Sequence, residues 1–192
     1  MRLSKENEVT VMDVEQKLIQ EIRSHGNIQV ICRLCDAIEN LNGVVAVPTM
    51  DGSHHTFSST FLSMAISCDN LEAVEALLQK GVDPNYIDSR LMNEGPLLHQ
   101  LSIFTGKTAE DAKKALQITK LMLDHGADPN QIIPGEGKTV YQYAQLKASL
   151  AYDPSSDYDY RYDGVFLELL EARIHGTLNL IDMEDLLSSF DD

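Results

Sequence analysis

In 192 residues the chain carries 30 acidic side chains against 15 Lys and Arg, a formal net charge of −15, with 43% apolar residues and no Trp. That apolar share is ordinary for a globular chain, and the length suits one domain or a short repeat array whose core is built mostly from Leu, Ile, Val, Ala and Met. A surface of this sign repels nucleic acid and anionic lipid, so it speaks against both as partners and in favour of a basic protein.

The opening stretch, MRLSKENEVTVMD, has no apolar h-region, and no run of 18 apolar residues occurs anywhere. Both features point away from a secretory signal and a membrane span. Three cysteines (Cys32, Cys35, Cys68) are an odd, low count that suits a reducing compartment, so a cytoplasmic location is expected. His25–Asp36 (HGNIQVICRLCD) has helical spacing, with Ile28, Ile31, Leu34 and Cys35 on the inward face. Redox C-x-x-C motifs need the first Cys at a helix N-terminus; here the pair lies in mid-helix and reads as packing. Gly43–Ser59 (GVVAVPTMDGSHHTFSS) places two β-prone arms around Asp51-Gly52, a favoured two-residue hairpin turn. A projecting arm tipped by Met50, Asp51, His54 and His55 is a candidate contact site. Adjacent His on a strand point to opposite faces, so His54-His55 is not read as a chelating pair and no metal is expected.

In Thr60–Asn85, Leu62, Met64, Ala65 and Ile66 mark one short helical segment, and Leu71, Val74, Leu77 and Leu78 a second. Gly81 ends the second by entering the left-handed conformation, and Asp83, Pro84 and Asn85 supply turn chemistry. The ending GVDPN returns 45 residues later as GADPN, Gly126–Asn130. With Thr60, Leu62, Ala65, Asn70, Leu71, Val74, Leu77, Leu78, Gly81, Asp83 and Asn85 at matching positions, the unit resembles an ankyrin repeat over its 26-residue signature. It departs from the pattern at Phe61, Ser63 and Asp69. The second copy, residues 96–130, matches at Leu121, Leu123, Gly126, Ala127, Asp128 and Asn130. It keeps Leu98 and His99, the latter at the family's structural His position, and has Leu101 where the family prefers Ala. The family repeats every ~33 residues, so about twelve are extra. About three fall in the connection at 86–95, where Arg90 and Met92 are candidate contacts. About nine fall between the two helices, where Thr108 with Asp111 predicts a capping-box pair.

Fainter copies flank these: residues 15–42 as a degenerate N-terminal cap, and 139–175, opened by Thr139 and Ala144, with a second helix expected at Val165–Arg173. The resemblance thus implies an all-α ankyrin-repeat solenoid of stacked helix-turn-helix units with β-hairpin fingers, the first finger elongated. It forms a single domain over 1–175, and an acidic tail follows at 176–192. Ala151–Gly164 interleaves Tyr152, Tyr158, Tyr160 and Tyr162 with Asp153, Asp157, Asp159 and Asp163. A calcium loop fails on spacing, because Arg161 and Leu170 stand where ligands are needed from Asp159, and Tyr162 where Gly is needed from Asp157. The stretch is read instead as an acidic, Tyr-rich contact loop. In the tail, Leu180, Met183, Leu187 and Phe190 sit near helical spacing, predicting an amphipathic helix that packs on the last repeat; the same composition suits docking into a partner's groove.

No phosphate loop, metalloprotease motif, nucleophile elbow or Cys/His ligand spacing occurs; GKT at Gly106 and Gly137 lacks the upstream Gly of a phosphate loop. No catalysis and no cofactor are expected. The resemblance implies that partners are held on hairpin tips and first helices. The function expected is a protein–protein interaction module, monomeric alone. It has two sharper forms: an immunity- or antitoxin-like inhibitor that occludes a basic toxin or nuclease, or an adaptor or effector that recruits host proteins.

Overall fold

The computed structural model describes residues 4–49, 55–88, 91, 95–103, 108–149 and 161–190, with side chains from residue 14 onward. They belong to two compact units, residues 1–83 and 84–192.

The first unit contains α1 (Ser4–Arg23), α2 (Ile28–Asp36), β1 (Val44–Pro48), β2 (Thr56–Thr60), α3 (Phe61–Ser67) and α4 (Leu71–Gln79). α1 begins well before residue 15, so the first helix of the N-terminal pair is a 20-residue element. It buries Leu18, Ile19 and Ile22, and α2 buries Ile31 and Cys35. Of the inward face expected for α2, Ile28 is exposed and Leu34 only half-buried. β1 and β2 pair antiparallel from Val44 opposite Thr60 to Pro48 opposite Thr56. A further bond from Thr49 N to His55 O (2.9 Å) leaves five residues, 50–54, between the arms; the expected Asp51-Gly52 turn lies outside the described residues. The outer edge of β1 is occupied by α1: Gln16 Nε2 donates to Ala46 O (3.2 Å) and Arg23 Nη2 to Pro48 O (2.6 Å). Pro48 has no N–H to offer there.

α3 buries six consecutive residues, Phe61–Ile66, as a helix covered on all sides must. Thr60 caps it, its hydroxyl accepting from Ser63 N (3.1 Å). Asn70 caps α4, accepting from Ala73 N (3.0 Å), and its amide donates to Ile22 O (2.7 Å), tying the start of α4 to the end of α1. Asp69, one of the departures from the repeat pattern, holds φ +51°, a conformation that Asp tolerates better than most residues.

The second unit contains α5 (Leu97–Ser102), α6 (Ala109–Asp124), α7 (Val140–Ala148), α8 (Arg161–Ile174), a 3-10 turn (Leu178–Leu180) and α9 (Met183–Ser188). Thr108 and Asp111 form the predicted capping box of α6. Thr139 and Gln142 form another at α7. A single antiparallel bridge, Ile132 to Thr139, makes a short finger. α8 starts four residues before the expected Val165, and the tail is a 3-10 turn plus a short helix rather than one amphipathic helix. Asp182, extended and capping α9, makes the break; Leu178, Leu187 and Phe190 are buried, while Leu180 is exposed.

One packing scheme recurs in both units. In the first, α1 lies on α2 and α3 on α4, while α1 meets α3 and α2 meets α4; in the second, the same relations join α5, α6, α7 and α8. First helices pack on first helices and second on second, as stacking of a repeated helix pair requires.

Candidate binding surface

The repeat signature sits where backbone chemistry needs it. Gly81 (φ +84°) and Gly126 (φ +95°) end α4 and α6 in the left-handed region, with nothing within 4 Å of an added Cβ. Leu62 and Ala65 are buried. At two places an Asn side chain braces the turn that follows the next helix pair. Asn85 Oδ1 accepts from Asp128 N (2.7 Å) and its Nδ2 donates to Gly126 O (2.9 Å). Asn42 Oδ1 accepts in the same way from Asp83 N (2.9 Å). Asp128 Oδ1 accepts from Asn130 N (2.8 Å), and Asn40 Oδ1 from Asn42 N (3.2 Å). Asn40-Leu41-Asn42 is therefore a degenerate copy of Asp-Pro-Asn that the sequence reading passed over, because neither Gly nor Pro marks it.

His99 is half-buried, with its ring edge-on to Tyr143 at 4.9 Å. Ser102 Oγ donates to His99 O (2.8 Å), so it accepts from His99 Nδ1 (2.9 Å) and fixes the neutral ring as the Nδ1–H tautomer. Burial holds the imidazole pKa below its usual value, against the opposing pull of Glu136. Cys35 faces the core of α2, and burial pushes its thiol up to about 11. A thiol so placed is a poor nucleophile at neutral pH.

Of the expected contact residues, Met50, Asp51, His54, Arg90, Met92, Tyr152, Asp153, Asp157, Tyr158, Asp159 and Tyr160 lie outside the described residues. His55 is exposed at the end of the finger. Tyr162 and Asp163 are corrections: both are buried in the first turn of α8. Tyr162 stacks on Phe166 at 5.8 Å and donates its hydroxyl to Leu101 O (2.7 Å). Asp163 lies 3.9 Å from Lys147 Nζ. They hold α8 in place and offer no side chain to a partner.

Residues that the sequence did not single out carry exposed apolar surface on fingers and first helices. Ile132 (67% exposed) stands on the second unit's finger. Ile103 (46%) ends α5, and Leu146 (47%) lies on α7. Pro96 and Thr139 are the N-caps of these two helices, so Ile103 and Leu146 occupy the same repeat position on adjacent first helices. In the first unit that position is Ser67, and exposed apolar surface is found on the finger instead, at Phe57. There α1 and the outer end of β1 also form a groove of about 450 Å3 lined by Gln16, Ile19, Gln20, Arg23, Ser24 and Pro48. Among the described residues no three His, Cys, Asp or Glu side chains stand close enough to hold a metal ion, and no helix is long and apolar enough to cross a membrane.

No curated protein and no solved structure matches the chain significantly. Residues 59–89 match the family model of the ankyrin repeat. They contain the Thr60 cap, the buried α3–α4 pair, the Gly81 turn and Asn85. Over residues 59–89 the chain is an ankyrin repeat.

Proposed function

We propose that this chain works by holding a basic partner protein against its fingers and first helices. Ankyrin repeats are in general non-enzymatic modules for protein–protein interaction. The observation that carries the reading is the pair Ile103 and Leu146: two large apolar side chains, both exposed, at one repeat position on adjacent helices. Exposed apolar groups on adjacent helices of this kind mark contact surfaces, and burying the exposed half of each on a partner is worth about 1 kcal/mol. The basic character of the partner follows from a net charge of −15. Met50, Asp51, His54 and His55 on the first finger, Arg90 and Met92, and the acidic, Tyr-rich residues 152–160 belong to the proposed surface.

The four helix pairs are read as four repeat units of one array, with residues 176–192 as its cap. The recurrence of one packing scheme in each compact unit supports that count. An inhibitor that occludes a basic toxin or nuclease is the sharper form of the reading, since carboxylates can occupy the place of phosphates on such a target.

The test is affinity capture with mass spectrometry, comparing the intact chain with an Ile103→Asp/Leu146→Asp variant whose fold is checked by circular dichroism. Recovery of a basic protein by the intact chain, and its loss with the variant, is the expected result. Equal recovery by both would move the working surface away from the first helices.

A further inference from the structure

We propose that the C-terminal cap is a second docking surface, for a protein segment that presents an apolar face flanked by Lys or Arg. This rests on the reading of the chain as a binder of basic proteins and assigns a face distinct from the fingers and first helices. After α8 the chain turns at Gly176 (φ +71°). The 3-10 turn that follows buries Leu178 and leaves Leu180 74% exposed, the largest value among the large hydrophobic side chains described. Ile174 before the turn is also exposed, and Ile181, Met183 and Leu186 are half-buried. All of these lie within 13 residues of one another in the chain, so the exposed apolar groups are clustered in one segment.

The segment is held in place. Leu187 and Phe190 are buried, Arg161 stacks over the Phe190 ring at 5.1 Å and donates to Ser189 O (2.5 Å). Leu180 precedes the break at Asp182; in one continuous helix its spacing would have placed it beside Met183 and Leu187.

The charge around it selects the occupant. Asp182, Glu184 and Asp185 are exposed, and no Lys or Arg occurs from Ile174 to the last residue. These carboxylates therefore have no cation of their own segment to neutralise them. A second copy of the chain would bring the same acidic rim and its own net −15, and nucleic acid or anionic lipid would be repelled likewise. An apolar face flanked by cations is complementary in both respects.

The probe is a fluorescein-labelled amphipathic peptide with a Leu face flanked by Lys, read by anisotropy. Two controls are the same peptide flanked by Glu and a Lys peptide without the Leu face. Leu180→Ser should weaken binding of the Lys-flanked peptide by about tenfold, equivalent to about 1.4 kcal/mol. Glu184→Gln/Asp185→Asn should reduce its salt dependence. Equal binding by Leu180→Ser and the unaltered chain overturns the proposal, as does equal binding of the Lys-only peptide. No binding of the Lys-flanked peptide also overturns it and leaves the first-helix surface to its own test. Loss of binding in the Ile103/Leu146 variant alone would assign the peptide to the first helices, against the cap. Sedimentation showing a dimer that Leu180→Ser dissolves would make the occupant a second copy and overturn the assignment to a basic partner.

Discussion

At His99 a single proton is coupled to stability. The neutral ring donates from Nδ1 to Ser102 while Ser102 donates to the His99 carbonyl, and Tyr143 closes one side. Charging the ring costs desolvation, which is why its pKa is held below the usual 6.5. A group whose folded pKa is depressed contributes stability that is present above its unfolded pKa and is lost as pH falls through the folded one. The contribution of His99 is therefore intact above pH ~6.5 and fades below it. Protonation of surface carboxylates at lower pH acts on the whole chain, so the informative quantity is a difference. The urea stability gap between the intact chain and His99→Gln should shrink steadily from pH 7.5 to pH 5. A gap that stays constant over that range would show that the ring does not titrate in a buried setting. The position of His99 was legible in the sequence through the repeat pattern, but its Ser102 partner was not. Tyr162 was misplaced for a related reason: the Tyr/Asp alternation drew attention, while the helical spacing of Tyr162, Phe166, Leu169 and Leu170 already ran through it.

Helix ends show how local chemistry makes elements readable. Thr60, Asn70, Thr108 and Thr139 each accept from a backbone N–H three residues on, and such caps are visible in sequence because donor and acceptor are near neighbours. α7 offers the cleanest test. Thr139 Oγ1 accepts from Gln142 N (3.1 Å), and Gln142 Oε1 accepts from Thr139 N (3.0 Å). Thr139→Ala should cost about 1 kcal/mol in chemical denaturation, Thr139→Ser much less, and Gln142→Ala an intermediate amount. A Thr139→Ser loss as large as that of Thr139→Ala would mean that the methyl group and not the hydroxyl matters. Elements set by distant contacts were harder to read. In α1 the side chains described as buried are Leu18, Ile19 and Ile22, and the reading began the pair at residue 15. The tail was read as one helix because spacing alone does not reveal that Asp182 adopts an extended conformation and starts a new one. The exposed pair Ile103 and Leu146 emerges only when the repeats are aligned from their N-caps, since neither residue is unusual in its own stretch.

For the whole molecule, charge is the property that sequence composition establishes and that no local arrangement can cancel. Thirty acids face fifteen Lys and Arg, so even complete one-to-one pairing would leave half the carboxylates without a cation. Among the described residues, ion pairs at or near the surface join Lys80 with Asp36, Lys114 with Glu110, and Lys120 with Asp124. Exposed pairs contribute little, of order 0–1 kcal/mol each. Repulsion among the remaining carboxylates acts against the compact state, and salt screens it: the Debye length falls from ~30 Å at 0.01 M to ~8 Å at 0.15 M. Raising NaCl over that range should therefore raise the thermal midpoint, by about 2–4 °C for each kcal/mol of repulsion relieved in a chain of this size. A chain held together chiefly by its surface ion pairs would respond in the opposite direction. Potassium chloride at matched ionic strength should reproduce the rise, because screening depends on ionic strength rather than on the identity of the cation. A rise with sodium alone would instead indicate a bound ion, and a fall with both would show that attractive pairs outweigh the uncompensated charge. The same screening should slow association with a basic partner, so one salt series separates the two consequences of this charge: stability improves while encounter becomes slower.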